Sequence, residues 1–365
     1  MAKFVATGDW HIGARMGSAG SGAPRFREAR FSTAERVVEL AVKEGAAAIF
    51  LLGDTFDGDG VGSGDIRRTL ELLARAPCEV FVLPGNHDWW HSGGVLSSFA
   101  RLAADVANVS VLTAPKTPLK IDGLPGVTFF PCPVLKHAEV GDPTRWIPPR
   151  AAEDGVRVGL IHAALERADW GGEVPERVAE ERDLDLALLG DWHKPVDGPD
   201  GRTFYPGSLE PLRFKDSHVG QVILAATGTE GAKVERVEVG KLAYQRIELT
   251  LESSEIGGVG PSVLADALAA ITSVRENTAV RLHLFGKLTL TELDAFDRIL
   301  AAQQGAGWAT CDVQSEVVPL GEPDLDVFEE PAIRSVAEHI WEGDADAVLR
   351  RRALAILAEK VEATR

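Results

Sequence analysis

Between Lys3 and His193 an apolar run closes five times on a carboxylate, an amide or an imidazole, usually beside a glycine. Lys3 to Thr7 leads into Gly8-Asp9-Trp10-His11, and Ile49 to Leu52 into Gly53-Asp54-Thr55-Phe56-Asp57. Val80 to Leu83 leads into Pro84-Gly85-Asn86-His87-Asp88, Val156 to Ile161 into His162, and Leu184 to Leu189 into Gly190-Asp191-Trp192-His193. A short buried run bounded this way reads as a central strand of an α/β sheet, and such sheets bind ligands in the crevice outside the carboxyl ends of their strands. Five strand ends on one rim therefore predict an α/β fold organised around Asp54.

Composition sets the remaining bounds. A chain of 365 residues with 45% hydrophobic content is long for one domain, which predicts one large and one or more smaller units. The glycine cluster Gly257-Gly258-Val259-Gly260-Pro261 suggests the boundary. The expected division is a large domain over 1–256, closed by strands at Val219 to Ala226, Val234 to Val239 and Arg246 to Leu251, then a small α+β capping domain over 257–322 and a helical tail over 323–365. In the small domain Thr289 and Glu292 have the spacing of a capping box. In the tail Leu349, Ala353, Ile356, Leu357 and Lys360 fall on helical spacings of three and four, a stripe suited either to packing at home or to a partner.

No segment approaches the roughly 18 consecutive apolar residues of a membrane span, and the first strand begins within a few residues of Met1, so a cytoplasmic location is expected. Cys78, Cys132 and Cys311 are too few and too scattered for a disulfide framework or a thiolate metal site. A net charge of −17 argues against a protein that coats nucleic acid nonspecifically, but leaves room for metals and a local basic patch. Ile12 to Arg30, rich in Gly and Ser, reads as a loop before a helix at Ser32 to Lys43; its Arg15, Arg25 and Arg27 are candidates either for a solvated surface or for phosphate contact.

Carboxylate, imidazole and amide oxygen without thiolate suit ions such as Mn²⁺, Mg²⁺, Fe²⁺ or Zn²⁺. Asp9, His11, Asp54, Asn86, His162, Asp191 and His193 are seven candidate ligands. That number exceeds one ion's needs and fits two ions roughly 3.5–4 Å apart with one carboxylate bridging, the arrangement that clamps an in-line phosphoryl displacement. Asp54 is the natural bridge.

The ordered series Gly8-Asp9-Trp10-His11, Gly53-Asp54-Thr55-Phe56-Asp57, Gly85-Asn86-His87-Asp88, His162 and Gly190-Asp191-Trp192-His193 resembles the calcineurin-like metallophosphoesterase superfamily. Within it, Tyr205-Pro206-Gly207-Ser208, the Arg-rich first loop and the domain order resemble the SbcD-type DNA repair nucleases, the partners of SbcC ATPases. The resemblance implies a sandwich of two β-sheets flanked by helices. It implies Asp9, His11, Asp54 and His193 around one ion, and Asp54, Asn86, His162 and Asp191 around the other. His87 is then a proton donor to the phosphate or leaving group, and Asp57 either orients His87 or caps the next turn. DNA, an SbcC-like ATPase and a second copy of the chain are the implied partners, with exo- or endonuclease activity in DNA repair.

One position departs from that pattern, since Asp191 stands where Gly-His-x-His would place histidine. A third negative charge leaves two divalent ions less positive, which tilts preference from zinc toward manganese or magnesium and acidifies water less. Trp89, Trp90 and His91 follow the third motif closely and are open to core packing or to base stacking at the mouth, as are Trp10 and Trp192. Two other readings stay open: a phosphodiesterase or phosphatase of small nucleotides, lipids or phosphoproteins, and a metal-poor scaffold subunit.

Overall fold

A computed structural model describes all residues except 137–140, 153, 167–172, 217, 229–230, 321–324, 326–327, 346 and 363–365. Its contacts divide the chain into two units, Met1–Ala243 and Tyr244–Arg365. The strands of the first unit are β1 (Ala2–Thr7), β2 (Ala48–Leu51), β3 (Glu79–Val82), β4 (Val109–Val111), β5 (Val127–Cys132), β6 (Val156–His162), β7 (Leu186–Gly190), β8 (Val196–Asp197), β9 (Thr203–Tyr205), β10 (Gln221–Gly228) and β11 (Gly231–Glu238). Its helices are α1 (Ala23–Glu44), α2 (Ser63–Ala74), α3 (Val95–Ala103) and α4 (Val178–Glu181).

These strands make two sheets, in the orders β11-β10-β1-β2-β3-β4 and β5-β6-β7-β9-β8. β1 to β4 run parallel to one another, as do β5, β6, β7 and β9. Phe4, Phe50 and Phe81 from the first sheet share one apolar core with Phe129, Leu160 and Leu188 from the second. The Phe4 and Phe129 rings meet edge-on at 5.4 Å. On its other face the first sheet buries Val5, Ile49, Leu51 and Val80 against Val37 of α1, Leu70 of α2 and Phe99 of α3. The second sheet covers Ile161 and Leu189 with Ile147 and Val178. Strands buried on both faces read as continuous apolar runs, not alternating ones, which is why the five runs were legible. The expected two-sheet sandwich flanked by helices is what forms.

The first loop is shorter than expected. Helix α1 begins at Ala23, not near Ser32, and runs to Glu44. The Gly/Ser density that suggested a loop ends at Gly22, Pro24 occupies the first turn where its fixed φ suits a helix, and no breaker follows until Gly45 caps the end at φ 61°. Arg25 and Arg27 consequently lie on the exposed side of a helix, whereas Arg30 joins Phe26, Phe31 and Ala34 on its buried side.

The second unit contains all but the first residue of β12 (Ala243–Glu252), then β13 (Thr278–Leu288), β14 (Thr310–Pro319), α5 (Ser262–Ala269), α6 (Leu290–Gln304), α7 (Pro331–Glu342) and α8 (Ala347–Glu362). β12, expected to finish the large domain, instead forms the sheet β12-β13-β14. The glycine cluster is a turn inside this unit: Gly258 N–H donates to the Ser253 carbonyl at 3.0 Å and Gly260 N–H to that of Glu252 at 2.9 Å. Leu251, Leu264, Leu268, Val280, Leu282 and Phe296 form its core. The capping box is present, with Glu292 N–H donating to Thr289 Oγ1 and Thr289 N–H to Glu292 Oε2.

Of the expected tail stripe, Leu357 packs with Phe328 and Ala337, alongside Leu354, Ala358 and Val361 from outside the stripe, while Leu349 and Ile356 are 63% and 51% exposed. No helix among the described residues is long and apolar enough to cross a membrane.

Candidate metal centre

Parallel strands carry their polar ends to one edge of the sandwich. Asp9 and His11 follow β1, Asp54 follows β2, Asn86 and His87 follow β3, His162 ends β6, and Asp191 and His193 follow β7. The first two loops are stitched together by Asp9 N–H donating to the Gly53 carbonyl at 3.1 Å and His11 N–H to that of Asp54 at 2.9 Å. Asp9, His11, Asp54 and Asp191 have positive φ, at 50°, 44°, 50° and 99°. Non-glycine residues rarely adopt that conformation, which costs roughly 1–3 kcal/mol each and concentrates where surrounding structure forces side chains toward a ligand.

Two motif glycines are fixed by close approach. A Cβ on Gly53, itself at φ 94°, would lie 2.1 Å from His162 Nδ1, and one on Gly85 would lie 2.2 Å from Asp54 Oδ1.

The side chains gather into overlapping groups: Asp9 with His11 and His193, Asp9 with Asp54 and His162, and His11 with Asp57 and His87. His11 Nε2 and His193 Nε2 face each other at 3.1 Å. The two Asp54 oxygens divide between the ends of the cluster: Oδ2 lies 3.8 Å from His11 Nε2, and Oδ1 lies 3.5 Å from His162 Nε2. Asp191 Oδ1 lies 3.9 Å from His162 Nε2, and Asp191 N–H donates to Asp9 Oδ1 at 3.0 Å. The Asn86 amide meets His162 Nε2 at 2.9 Å. With His162 neutral, the amide turned with its oxygen inward faces only acceptors, and turned the other way it donates to Asp54 Oδ2 at 2.9 Å. Acceptors crowded at such distances, drawn from carboxylate, amide and imidazole, are the donor set a pair of divalent cations satisfies.

Electrostatics agree. Burial holds the Asp9 carboxyl well above the ordinary carboxylate range, with Asp54 and Asp191 adding to it. Burial also raises Asp191, against an opposing pull from His162. For His162 burial disfavours charge, but Asp54, Asp191 and Asp9 together overcome it and lift the imidazole to about 9. Burial, with His11 nearby, pushes His193 down to about 4. A cluster that puts a proton on one buried imidazole has an excess of negative charge that a cation would neutralise.

Asp57 plays two parts, neither of them a turn cap. Its side chain accepts from His11 Nδ1 at 3.1 Å, and its main-chain carbonyl faces His87 Nδ1 at 3.2 Å. Other residues carry support that the spacing did not announce. Asp88, the last residue of the third motif, is buried and accepts from Asp54 N–H at 3.2 Å, Phe56 N–H at 3.1 Å and Gly85 N–H at 2.8 Å. Burial and Asp54 push its carboxyl up to about 7. Arg30, buried in α1, donates to the Trp10 carbonyl at 2.5 Å and the Glu210 carbonyl at 2.9 Å, tying the first motif to the segment that follows the Tyr205-Pro206-Gly207-Ser208 turn. The available signal was a basic residue on the apolar face of a helix.

The substrate-binding candidates scatter. Arg15, Arg25 and Arg27 are exposed. Trp10 is buried with Nε1 donating to Thr7 Oγ1 at 2.9 Å, and Trp90 packs on the helix-side core. His91 is held by Asp59 at 3.0 Å and stacks on Trp89 at 4.1 Å between ring centres.

The sequence is also similar to known proteins. The chain is 26% identical over 312 residues to the DNA double-strand break repair protein Mre11 of Aeropyrum pernix, a match covering 76% of this chain and 71% of that one. Residues 2–195, which contain every candidate ligand, match the Calcineurin-like phosphoesterase family. A match over more than half of the 365 residues, on the strands that carry the centre, establishes that the chain belongs to that family.

Proposed function

We propose that the protein is a two-metal phosphodiesterase that cuts DNA, an SbcD-like repair nuclease working as a homodimer with an SbcC-like ATPase. The observation that carries the two-metal reading is the division of the Asp54 oxygens between the His11 and His162 ends of one cluster. Asp9, His11, Asp54 and His193 would hold one cation, and Asp54, Asn86, His162 and Asp191 the other. When bound, such a pair neutralises charge on phosphoryl oxygens and acidifies water.

The remaining work falls to this chain's own groups. His87 is exposed beside the cluster, and its main-chain N–H donates to Asp54 Oδ1 at 2.8 Å. With its Nδ1–H held by the Asp57 carbonyl, the transferable proton of imidazolium sits on Nε2, where it can be given to a leaving oxygen. Asp57 positions two imidazoles at once, through its carboxylate and its carbonyl.

DNA as substrate is supported by the similarity to Mre11. On α8, Leu349 and Ile356 stand exposed two turns apart, the spacing of anchors that enter a helical groove, which supports a partner such as the coiled coil of an ATPase. Incubation of the pure protein with Mn²⁺, labelled single- and double-stranded DNA and, in parallel, bis-p-nitrophenyl phosphate tests the reading. Cleavage of both DNA and the small diester is expected. Turnover of the diester with intact DNA would return the protein to the small-substrate alternative.

Asp191 gives a sharper check on the charge of the centre. Asp191→His removes one negative charge from the ligand set, so the ions become more positive toward water and the acid limb of the Mn²⁺ rate profile should move down by about one unit. Zinc should gain on manganese in competitive loading measured by elemental analysis. Unchanged stoichiometry, metal preference and rate profile would refute the charge argument.

A further inference from the structure

Next to the cluster lies a cleft of about 250 Å³, lined by Asp191, Trp192, His193 and Lys194 from one segment and by Arg213, Lys215 and Asp216 from another. We propose that this cleft holds the nucleotide adjoining the scissile phosphate, with Arg213 and Lys215 gripping the neighbouring backbone phosphate and Trp192 offering its ring to the base. The proposal rests on the phosphodiesterase reading above and names the part of the chain that would tell a polynucleotide from a small diester.

Three observations support it. First, the cleft is lined by His193, which groups with Asp9 and His11, and by Asp191, 3.9 Å from His162 Nε2, so it opens directly beside the cluster.

Second, cations outnumber carboxylates in its lining, the reverse of the molecule as a whole. In a chain with 55 acidic and 38 basic residues, Lys194, Arg213 and Lys215 line this cleft against Asp191 and Asp216. Among the described residues, neither Lys194 nor Lys215 meets a carboxylate within ion-pairing distance, and both are exposed. Arg213 is preset: its Nε faces buried Asp216 at 3.6 Å, and Asp216 N–H donates back to the Arg213 carbonyl at 2.9 Å. Pairing through Nε leaves the terminal nitrogens for the paired oxygens of a phosphate. On an acidic protein a polyanion needs such a local field to approach at all.

Third, Trp192 lines the cleft while also packing on the core beside Ile161 and Leu189, so its ring is held in place. A rigid aromatic face beside cations is the combination that holds unpaired nucleotides, at about 1–3 kcal/mol per stacked base. The volume is just under the about 300–1,000 Å³ of small-molecule sites and offers room for one nucleoside.

The test compares the full-length Mn²⁺-loaded protein with Arg213→Ala/Lys215→Ala and with the charge-preserving Arg213→Lys/Lys215→Arg. Affinity for a fluorescent single-stranded phosphorothioate oligonucleotide is read across salt concentrations, and cutting of the ordinary oligonucleotide is read in parallel. Each phosphate contact contributes about 0.7 to the slope of log affinity against log salt for single strands, so losing the one phosphate that both side chains grip should flatten the slope by about 0.7 in the alanine pair, and the charge-preserving pair should keep it. Equal slopes for the wild type and the alanine pair would overturn the proposal. A wild-type protein that binds the phosphorothioate but never cuts the ordinary strand would overturn the nuclease reading, leaving the slopes to judge the cleft. Absence of salt-dependent binding by the wild type would overturn both.

Discussion

Asp54→Asn is expected to give a folded protein with less than the full complement of bound metal and with phosphodiester hydrolysis reduced by about 10²–10³-fold or more, the scale of losing a preorganised electrostatic contact in a water-poor site. The substitution removes one negative charge from a carboxylate whose oxygens lie 3.8 Å from His11 Nε2 and 3.5 Å from His162 Nε2, so both halves of the cluster weaken together. The backbone should tolerate it. Asp54 holds φ at 50°, a left-handed conformation that Asn accepts as readily as Asp. Its N–H keeps Asp88 as acceptor, because that bond involves the main chain. Elemental analysis after dialysis in Mn²⁺ and a diesterase assay decide the matter. An inactive variant with unchanged metal content would refute the bridge, and an active one would refute the centre.

His87→Gln separates ligand from acid. Glutamine retains a side-chain donor that can reach toward the Asp57 carbonyl, and the main-chain bond from residue 87 to Asp54 Oδ1 is untouched, so loop geometry should persist. It has no transferable proton. The rate should therefore fall by about 10²–10⁴-fold, the usual contribution of general acid–base catalysis, with both metals still bound. The opposing assignment is concrete, because His87 also groups with His11 and Asp57 closely enough to hold an ion. Loss of metal from His87→Gln would make His87 a ligand. A diester with a much better leaving group gives a second reading: the penalty should shrink as the leaving oxygen needs less protonation.

The sequence by itself determined the order of the centre. Five apolar runs ending in Asp9 and His11, Asp54, Asn86, His162, and Asp191 and His193 were readable because strands buried on both faces stay apolar along their length and must end where polarity begins. The Thr289 and Glu292 cap was readable for a similar reason, since both halves of a capping box lie three residues apart. Such features depend on spacing along the chain.

What the tertiary structure decided depends on neighbours far apart in sequence. Asp88 supports Asp54 from 34 residues away, and Arg30 reaches Glu210 across 180. The positive φ of Asp9, His11, Asp54 and Asp191 is imposed by contacts between loops and leaves no mark in residue type. Glycines at 257, 258 and 260 look the same whether they link domains or close a turn, and only the pairing of β12 with β13 makes them a turn. The tail's stripe showed that a helix forms, but not which side of it would be covered: Phe328 and Ala337 pack with Leu354, which the stripe did not include, and leave the stripe's Leu349 and Ile356 to solvent. Local spacing fixes periodicity and polarity, whereas the burial of a given face is settled by whichever distant surface removes the most apolar area from water.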